Sequence, residues 1–208
     1  MGKPIVYGAD YSVYVRIVRL VLAEKGIDYT LVPVDVFAAD GIPAWYFEHH
    51  PFGRIPAFEH DGFRLFETSA ITRYVDEAFD GPALQPRDLR GRARMNQIIG
   101  MLDAYAYRSM VWDVAVERLE KETPDEALIA GGLSQAGKAL QTLASLKAPG
   151  PWLLGDQLTL ADLHAAPIIG YFVNVAEGQT LLAAFPEIQA LWDRIAARPS
   201  FAASGPAA

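Results

Sequence analysis

The side chains able to do chemistry cluster at two places in the early part of the chain. At the first, Ser12 lies just ahead of a run in which apolar Val13, Ile17, Leu20 and Val21 recur at helical spacing. Two roles are open to a serine there. Its oxygen can accept from backbone N–H groups and cap the helix, or its O–H can donate to an anion brought to the helix N-terminus. Tyr7, Tyr11 and Tyr14 are rival hydroxyls close by. At the second place, Glu67-Thr68-Ser69 opens another helical pattern carrying Ile71, Tyr74, Val75 and Ala78. An acidic, hydroxyl-rich helix start presents free N–H groups and positive dipole, which suit a carboxylate, and the Thr or Ser can cap it. There is no cysteine, which removes a cysteine nucleophile, a disulfide framework and a thiolate metal site. His49 and His50 are adjacent, a pattern usually found exposed, and have no third ligand at metal spacing, so no metal is expected. His60 and His164 read as structural.

Short elements must position these groups. Pro4 to Gly8 is a strand ending in glycine, and Val13 to Lys25 a helix stopped by Gly26. Tyr29 to Val34 is a second strand, and Pro33 within it points to a sheet edge. Residues 37–50 are irregular, with one helical turn around Trp45. Asp61-Gly62 separates Pro56-Ala57-Phe58-Glu59 from Phe63-Arg64-Leu65-Phe66, with apolar and polar residues alternating. That is a half-buried hairpin whose turn tolerates positive φ. The order β-α-β-α-β-β-α predicts an α/β, thioredoxin-like domain over residues 1–80, with one parallel pair and an antiparallel hairpin.

A turn-rich linker, 81–87, precedes an all-α domain over 88–208. Asp88 to Lys121 reads as one long helix with Ile98, Met101, Leu102, Tyr105, Met110 and Val114 inward. Pro124 starts the next, which Gly131-Gly132 weakens by roughly 1 kcal/mol each against alanine. Thr159 and Asp162 sit at capping-box spacing, Leu158 and Leu163 at staple spacing, and their role is structural. Pro186 to Ala197 reads as the last helix, with a fraying tail from Ser200 to Ala208.

The stretch His50-Pro51-Phe52-Gly53-Arg54-Ile55-Pro56-Ala57, followed downstream by Glu67-Thr68-Ser69-Ala70-Ile71, resembles the cytosolic glutathione transferase superfamily. It is most similar to the serine-using phi/theta-like branch. Ser12-Val13-Tyr14-Val15-Arg16 resembles that branch's Ser-x-x-x-Arg, and the run from Gly155 to Asp162 resembles the family's helical-domain motif. The resemblance covers nearly the whole chain. It implies a glutathione transferase fold and conjugation of the thiolate of reduced glutathione, a co-substrate, to a hydrophobic electrophile.

A free thiol has a pKa of ~8.5, and lowering it by two pH units takes about 2.7 kcal/mol. A hydroxyl donating to the sulfur supplies roughly 1.5–3 kcal/mol. A helix N-terminus adds about 0.3–1 kcal/mol. The resemblance gives the hydroxyl's role to Ser12, with Tyr7 the nearest match to the tyrosine-using classes. It implies a cis bond before Pro56 and backbone pairing of Ile55 with the cysteinyl residue. It further implies that Glu67 holds the γ-glutamyl ammonium and Thr68 the γ-glutamyl carboxylate. For the glycyl carboxylate the family commonly uses Lys, His or Gln on the loop after strand two. Residues 37–45 offer no Lys or His, which leaves Arg54, Trp45, His49 or His50.

The second substrate is expected between the domains. Met101, Tyr105, Arg108 and Trp112 share a stripe at helical spacing, for which core packing is the plain alternative. Tyr105, Arg108 and Trp112 with Tyr11 and Phe37 would make an aromatic pocket with one cation, suited to an anionic or polar electrophile. Phe52 lies where several classes insert an aromatic into a second subunit, so a homodimer is expected; packing within its own domain is the alternative. Other glutathione-dependent reactions (ether or thioether cleavage, dehalogenation, peroxide reduction) and a non-enzymatic binding module on the same fold are the competing functions. The isomerase branch's Ser-Ser-Cys motif is absent, and cysteine-dependent branches lack their nucleophile.

The 208 residues carry a formal net charge of -7 and no basic run, which argues against nucleic acid or an anionic membrane as partner. The start, Met1-Gly2-Lys3-Pro4-Ile5-Val6, shows neither a signal-peptide core nor a myristoylation pattern. Leu163 to Val175 is too short an apolar run to span a bilayer. A cytoplasmic, soluble enzyme of detoxification is the expectation.

Overall fold

The computed structural model describes residues 2–205. Residues up to Ala83, together with those from Pro199 onward, form one compact unit, and Leu84–Arg198 form a second.

The first unit is built on a four-stranded sheet, ordered β2-β1-β3-β4. Its strands are β1 (Ile5–Tyr7), β2 (Thr30–Val32), β3 (Ala57–His60) and β4 (Phe63–Phe66). β1 pairs parallel with β2 and antiparallel with β3, which pairs antiparallel with β4. β2 is an edge strand, and Pro33, which has no N–H to give a ladder, follows its last residue. Asp61 and Gly62 both take positive φ, 49° and 80°, as a two-residue turn matched to strand twist requires.

Residues alternate across the pleat. Val6 and Phe58 lie opposite each other, fully buried, and Phe58 meets Tyr74 of the helix α2 (Thr68–Ala78). Tyr7 and Ala57 point the other way and pack with Tyr46. Tyr46 belongs to a 3-10 turn, Ala44–Glu48, which is all the helix there is between the second and third strands. The helix α1 (Val13–Glu24) ends as expected at Gly26, φ 69°. Beside it, buried Lys25 donates to Asp76 Oδ1 (3.2 Å), Asp76 O (2.9 Å) and Pro82 O (3.1 Å), tying the ends of α1 and α2 to the departing chain.

The expected fraying of the tail does not hold for residues 200–205. They belong to the first unit, through the short helix α9 (Pro199–Ala203), rather than to the helices of 88–198. Phe201 is buried under the Arg16 guanidinium, 3.8 Å from ring centre, and Arg16 Nη2 donates to Phe201 O at 3.0 Å. An apolar anchor and a charged donor outweigh the entropy of a small-residue tail. Residues 206–208 lie outside the described part.

In the second unit α3 (Leu89–Met101), capped by Asp88, runs on through π-helical stretches Leu102–Ala106 and Arg108–Val116 into α4 (Glu117–Glu120). The long helix is present, but its turns widen to i→i+5 bonding, which rotates its faces. Ile98, Leu102, Met110 and Val114 are buried as expected; Tyr105, expected inward, is 69% exposed.

α5 (Glu126–Leu146) starts one residue after Asp125, whose Oδ1 accepts from Ala127 and Leu128 N–H at 2.9 and 3.1 Å, so Pro124 precedes the helix rather than opening it. α6 (Leu160–Phe172) is apolar nearly all round and correspondingly buried. Its Asp162 accepts from Thr159 N (2.8 Å), Thr159 Oγ1 (2.8 Å) and Leu153 N (2.7 Å), the expected capping interaction extended to the preceding loop. α7 (Ala176–Ala183) and α8 (Pro186–Ala196) complete the unit. Among the described residues no helix is long and apolar enough to cross a membrane.

Candidate functional site

The site of the first unit is assembled around Gly8. This residue directly follows β1 with φ 156°, and a Cβ on it would lie 2.4 Å from Val15 Cγ2 and 3.3 Å from Ile55 Cβ. Only a glycine lets the first turn of α1 and the loop before β3 close on the strand end together. Reading it as the end of a strand missed that role. The sequence signal was there, in a glycine between a strand and a helix start.

Ser12, at the head of α1, has φ -72° and ψ 126°, the extended backbone of an N-cap. Val15 N–H donates to Ser12 Oγ at 3.4 Å, long for such a bond. A hydroxyl has one hydrogen and two lone pairs, so accepting here leaves the hydrogen to give. No acceptor among the described residues takes it. Capping and donating, opposed in the sequence reading, are compatible.

Of the rival hydroxyls, one lies on a buried ring and one is engaged. Tyr7 is buried, its ring 4.2 Å from His49 and 6.1 Å from Trp45, and burial and the Glu59 carboxylate push its phenol up. Tyr11 Oη donates to Asp35 Oδ1 at 2.6 Å, and burial and that bond push its phenol up strongly. Neither phenol is poised to ionise, and the Tyr11 hydrogen is already given to Asp35.

The Ile55–Pro56 peptide bond is cis, as the resemblance implied. Tyr46 Oη donates to Arg54 O at 2.6 Å, while the Arg54 side chain is exposed. The N–H and C=O of Ile55 meet no partner among the described residues, so this edge of backbone is open to a peptide laid alongside.

Glu67 stands at the N-cap of α2 with φ 71° and ψ 110°. A non-glycine residue held there costs about 1–3 kcal/mol, and such positions cluster at ligand clamps. The expected cap by Thr68 or Ser69 is not made: both lie inside the helix, and Glu67 O takes the first helical bonds, from Ala70 and Ile71 N–H. The Thr68 and Ser69 N–H groups are left facing outward from the helix start.

His49 and His50 are not exposed. His49 packs on Tyr7 with Nδ1 3.6 Å from Glu59 Oε2. His50 is buried, its ring 4.9 Å from Phe66, and burial first, then Arg54, lowers its pKa against the pull of Glu67. The histidines therefore support the fold behind the Glu67 corner. Adjacency in sequence misled because Tyr46 packs near both rings and Phe66 covers His50.

The candidates for a second substrate fall in both units. In the first, the exposed rings of Tyr11 and Phe37 lie 6.0 Å apart. In the second, Arg108 Nε donates to Asp113 Oδ1 at 2.6 Å and Trp112 Nε1 to Tyr107 Oη at 3.0 Å. Both pairs are five residues apart, which π-helical turns bring into line. Tyr107 and Asp113 went unread because the helical spacing assumed was 3.6. Arg108, the one cation expected there, is paired with a carboxylate.

Comparison with known proteins identifies the family. A family model of the glutathione S-transferase N-terminal domain matches residues 6–83, and one of the C-terminal domain matches 104–199. Glutathione S-transferase F13 of Arabidopsis thaliana is 31% identical over 201 residues, covering 94% of this chain and 91% of that protein. The crystal structure of poplar glutathione transferase F1 superposes with a TM-score of 0.85 at 26% identity, covering 98% of this chain and 97% of that one. A glutathione S-transferase-I bound with lactoylglutathione superposes at 0.85 with 25% identity, covering 98% of each.

Proposed function

From the premise that the chain belongs to the glutathione S-transferase family, on its phi-like branch, we propose that Ser12 is the residue that activates the thiol. The chain is a transferase acting with glutathione. In this reaction the glutathione S–H gives its proton to solvent water, Ser12 Oγ–H donates to the sulfur anion, and that sulfur forms a bond to the electrophilic carbon as the bond to the leaving group breaks and the leaving group departs as its anion. The observation carrying the assignment is the Ser12 hydroxyl itself: it is loosely held by Val15 N–H and its hydrogen is unspent. A charge-assisted hydrogen bond of roughly 1.5–3 kcal/mol plus a helix start of about 0.3–1 kcal/mol reach the 2.7 kcal/mol that a two-unit fall in pKa takes.

The rest of the ligand is assigned on the same footing. The cysteinyl backbone lies along Ile55 beside Pro56. The γ-glutamyl carboxylate meets Thr68 and the N–H groups of the α2 start, and its ammonium meets Glu67. Arg54, exposed on the same loop, takes the glycyl carboxylate in place of the basic residue that 37–45 lack. Tyr11 and Phe37 in one unit, and Tyr105, Arg108 and Trp112 in the other, are the residues we assign to a hydrophobic electrophile, with Arg108 neutralised by Asp113. Exposed Phe52 is assigned to the interface of a homodimer. A cytoplasmic detoxifying enzyme is the cellular role that fits.

The test is the ultraviolet absorbance of glutathione thiolate, titrated on the wild type and on Ser12→Ala. The expected result is ionisation about two pH units below the free thiol, lost in the variant while glutathione still binds. Binding without ionisation would reduce Ser12 to a cap; no binding at all would favour a binding module that kept the fold.

A further inference from the structure

Between the end of β1 and the start of α1 lie only five residues, Gly8, Ala9, Asp10, Tyr11 and Ser12. The backbone pairing of β1 with β2 continues one step past the strands, through Gly8 N–H to Val32 O (3.0 Å) and Val34 N–H to Gly8 O (3.3 Å), and then stops. The next link is made by a side chain. Tyr11 Oη donates to Asp35 Oδ1 at 2.6 Å, and the same oxygen accepts from Phe37 N–H at 2.9 Å. The zip between the two chains thus runs on beyond its backbone part, and it ends on the residue before Ser12.

Ser12 is otherwise held mainly by its backbone. Its N–H donates to Ala9 O at 3.2 Å and its O accepts from Arg16 N–H at 2.9 Å, while its Oγ has only the long bond from Val15. We propose that Tyr11 is a positioning residue, its hydroxyl held by Asp35 so that the 9–12 turn aims the Ser12 O–H at the sulfur of bound glutathione. This rests on the assignment of Ser12 above. It gives Tyr11 a second task, distinct from offering its ring to an electrophile. The charged groups facing the Tyr11 phenol are Asp35 and Asp10. The Tyr11 hydrogen bond holds the Asp35 carboxyl below the usual range, so it stays an ionised acceptor at neutral pH, while the phenol stays a donor.

Three variants separate the hydroxyl from the ring. Tyr11→Phe keeps the ring and drops the donor; Asp35→Ala drops the acceptor; Asp35→Asn keeps an acceptor oxygen. The readout is the thiolate absorbance of the binary glutathione complex, with no electrophile present, so a role in electrophile contact leaves it unmoved. Tyr11→Phe and Asp35→Ala are expected to raise the bound thiol's pKa by about half a pH unit, a roughly three-fold loss of thiolate below the pKa. Glutathione affinity, which also reports intact folding, is expected to stay within about two-fold, about 0.4 kcal/mol, of wild type. Asp35→Asn is expected to titrate like the wild type. A Tyr11→Phe titration that overlays the wild type overturns the proposal, and so does an Asp35→Asn shift equal to that of Asp35→Ala. If wild-type glutathione does not ionise below its free value, the assignment of Ser12 fails and takes this proposal with it, a result distinct from failure of the tether alone.

Discussion

At 3.4 Å the Val15 N–H is held far more loosely by Ser12 than Gly91 N–H is by Asp88 (2.8 Å) or Ala127 N–H by Asp125 (2.9 Å). Replacing a serine cap by alanine typically costs about 1 kcal/mol, and a bond this long sits at the lower end of the ~0.5–2 kcal/mol range. Ser12→Ala is therefore expected to move the urea midpoint little while turnover collapses, which separates activation from folding. Asp162 is the opposite case. It is fully buried, and burial pushes its carboxyl up while three donors hold it in place. Alanine there would strand the Leu153 and Thr159 N–H groups at about 1–3 kcal/mol each. Urea unfolding of Asp162→Ala is expected to show a loss of about 3–5 kcal/mol, enough to unfold much of a marginal protein; a loss under about 1 kcal/mol would mean water replaces the carboxylate.

Among the elements, the π-helical stretch decides most. It turns Tyr105 outward and lines up Arg108 with Asp113 and Tyr107 with Trp112. Its partner α5 carries two adjacent glycines that propensity treats alike. The packing does not. A Cβ on Gly132 would lie 2.8 Å from Val114 Cγ2, 3.0 Å from Asp113 Cβ and 3.2 Å from Ser109 O; one on Gly131 meets nothing within 4 Å. Gly131→Ala is expected to stabilise by about 1 kcal/mol, raising Tm by roughly 2–4 °C. Gly132→Ala gains the same propensity, about 1 kcal/mol, but overpacks at roughly 1–3 kcal/mol, so calorimetry is expected to show a net loss or at best no gain. Equal effects from the two would mean that α5 slides freely on the π-helical stretch.

For the molecule as a whole, the proposed homodimer is tested at exposed Phe52. Phe52 is 72% exposed, with Phe66 6.1 Å away beneath it. A ring so placed either buries against a partner or leaves apolar surface in water. Light scattering is expected to find a dimer in the wild type and a rise in monomer, by about ten-fold or more in dissociation constant, for Phe52→Ser, as losing one aromatic anchor of ~1.5–3 kcal/mol from each subunit implies. A monomeric wild type would return Phe52 to its own unit's surface.

Much of the fold was legible. The Asp61-Gly62 turn, the Gly26 stop, the edge position of β2 and the Thr159–Asp162 box follow from local rules of φ, capping and alternation, which need only neighbours in sequence. The residues expected at the site came from the family resemblance; the structure sets Ser12 and Glu67-Thr68 at two helix heads and Ile55-Pro56 before a strand. What local rules could not reach was decided by contacts between distant segments. Gly8 matters because Ile55 approaches it, Tyr11 is held because Asp35 lies beside it, and His50 is buried because Phe66 covers it. The tail is ordered because Arg16 and Phe201 meet. By itself the sequence determined which elements form and which residue types could activate a thiol. Only the tertiary structure decided which hydroxyl keeps its hydrogen free, because that depends on partners far along the chain.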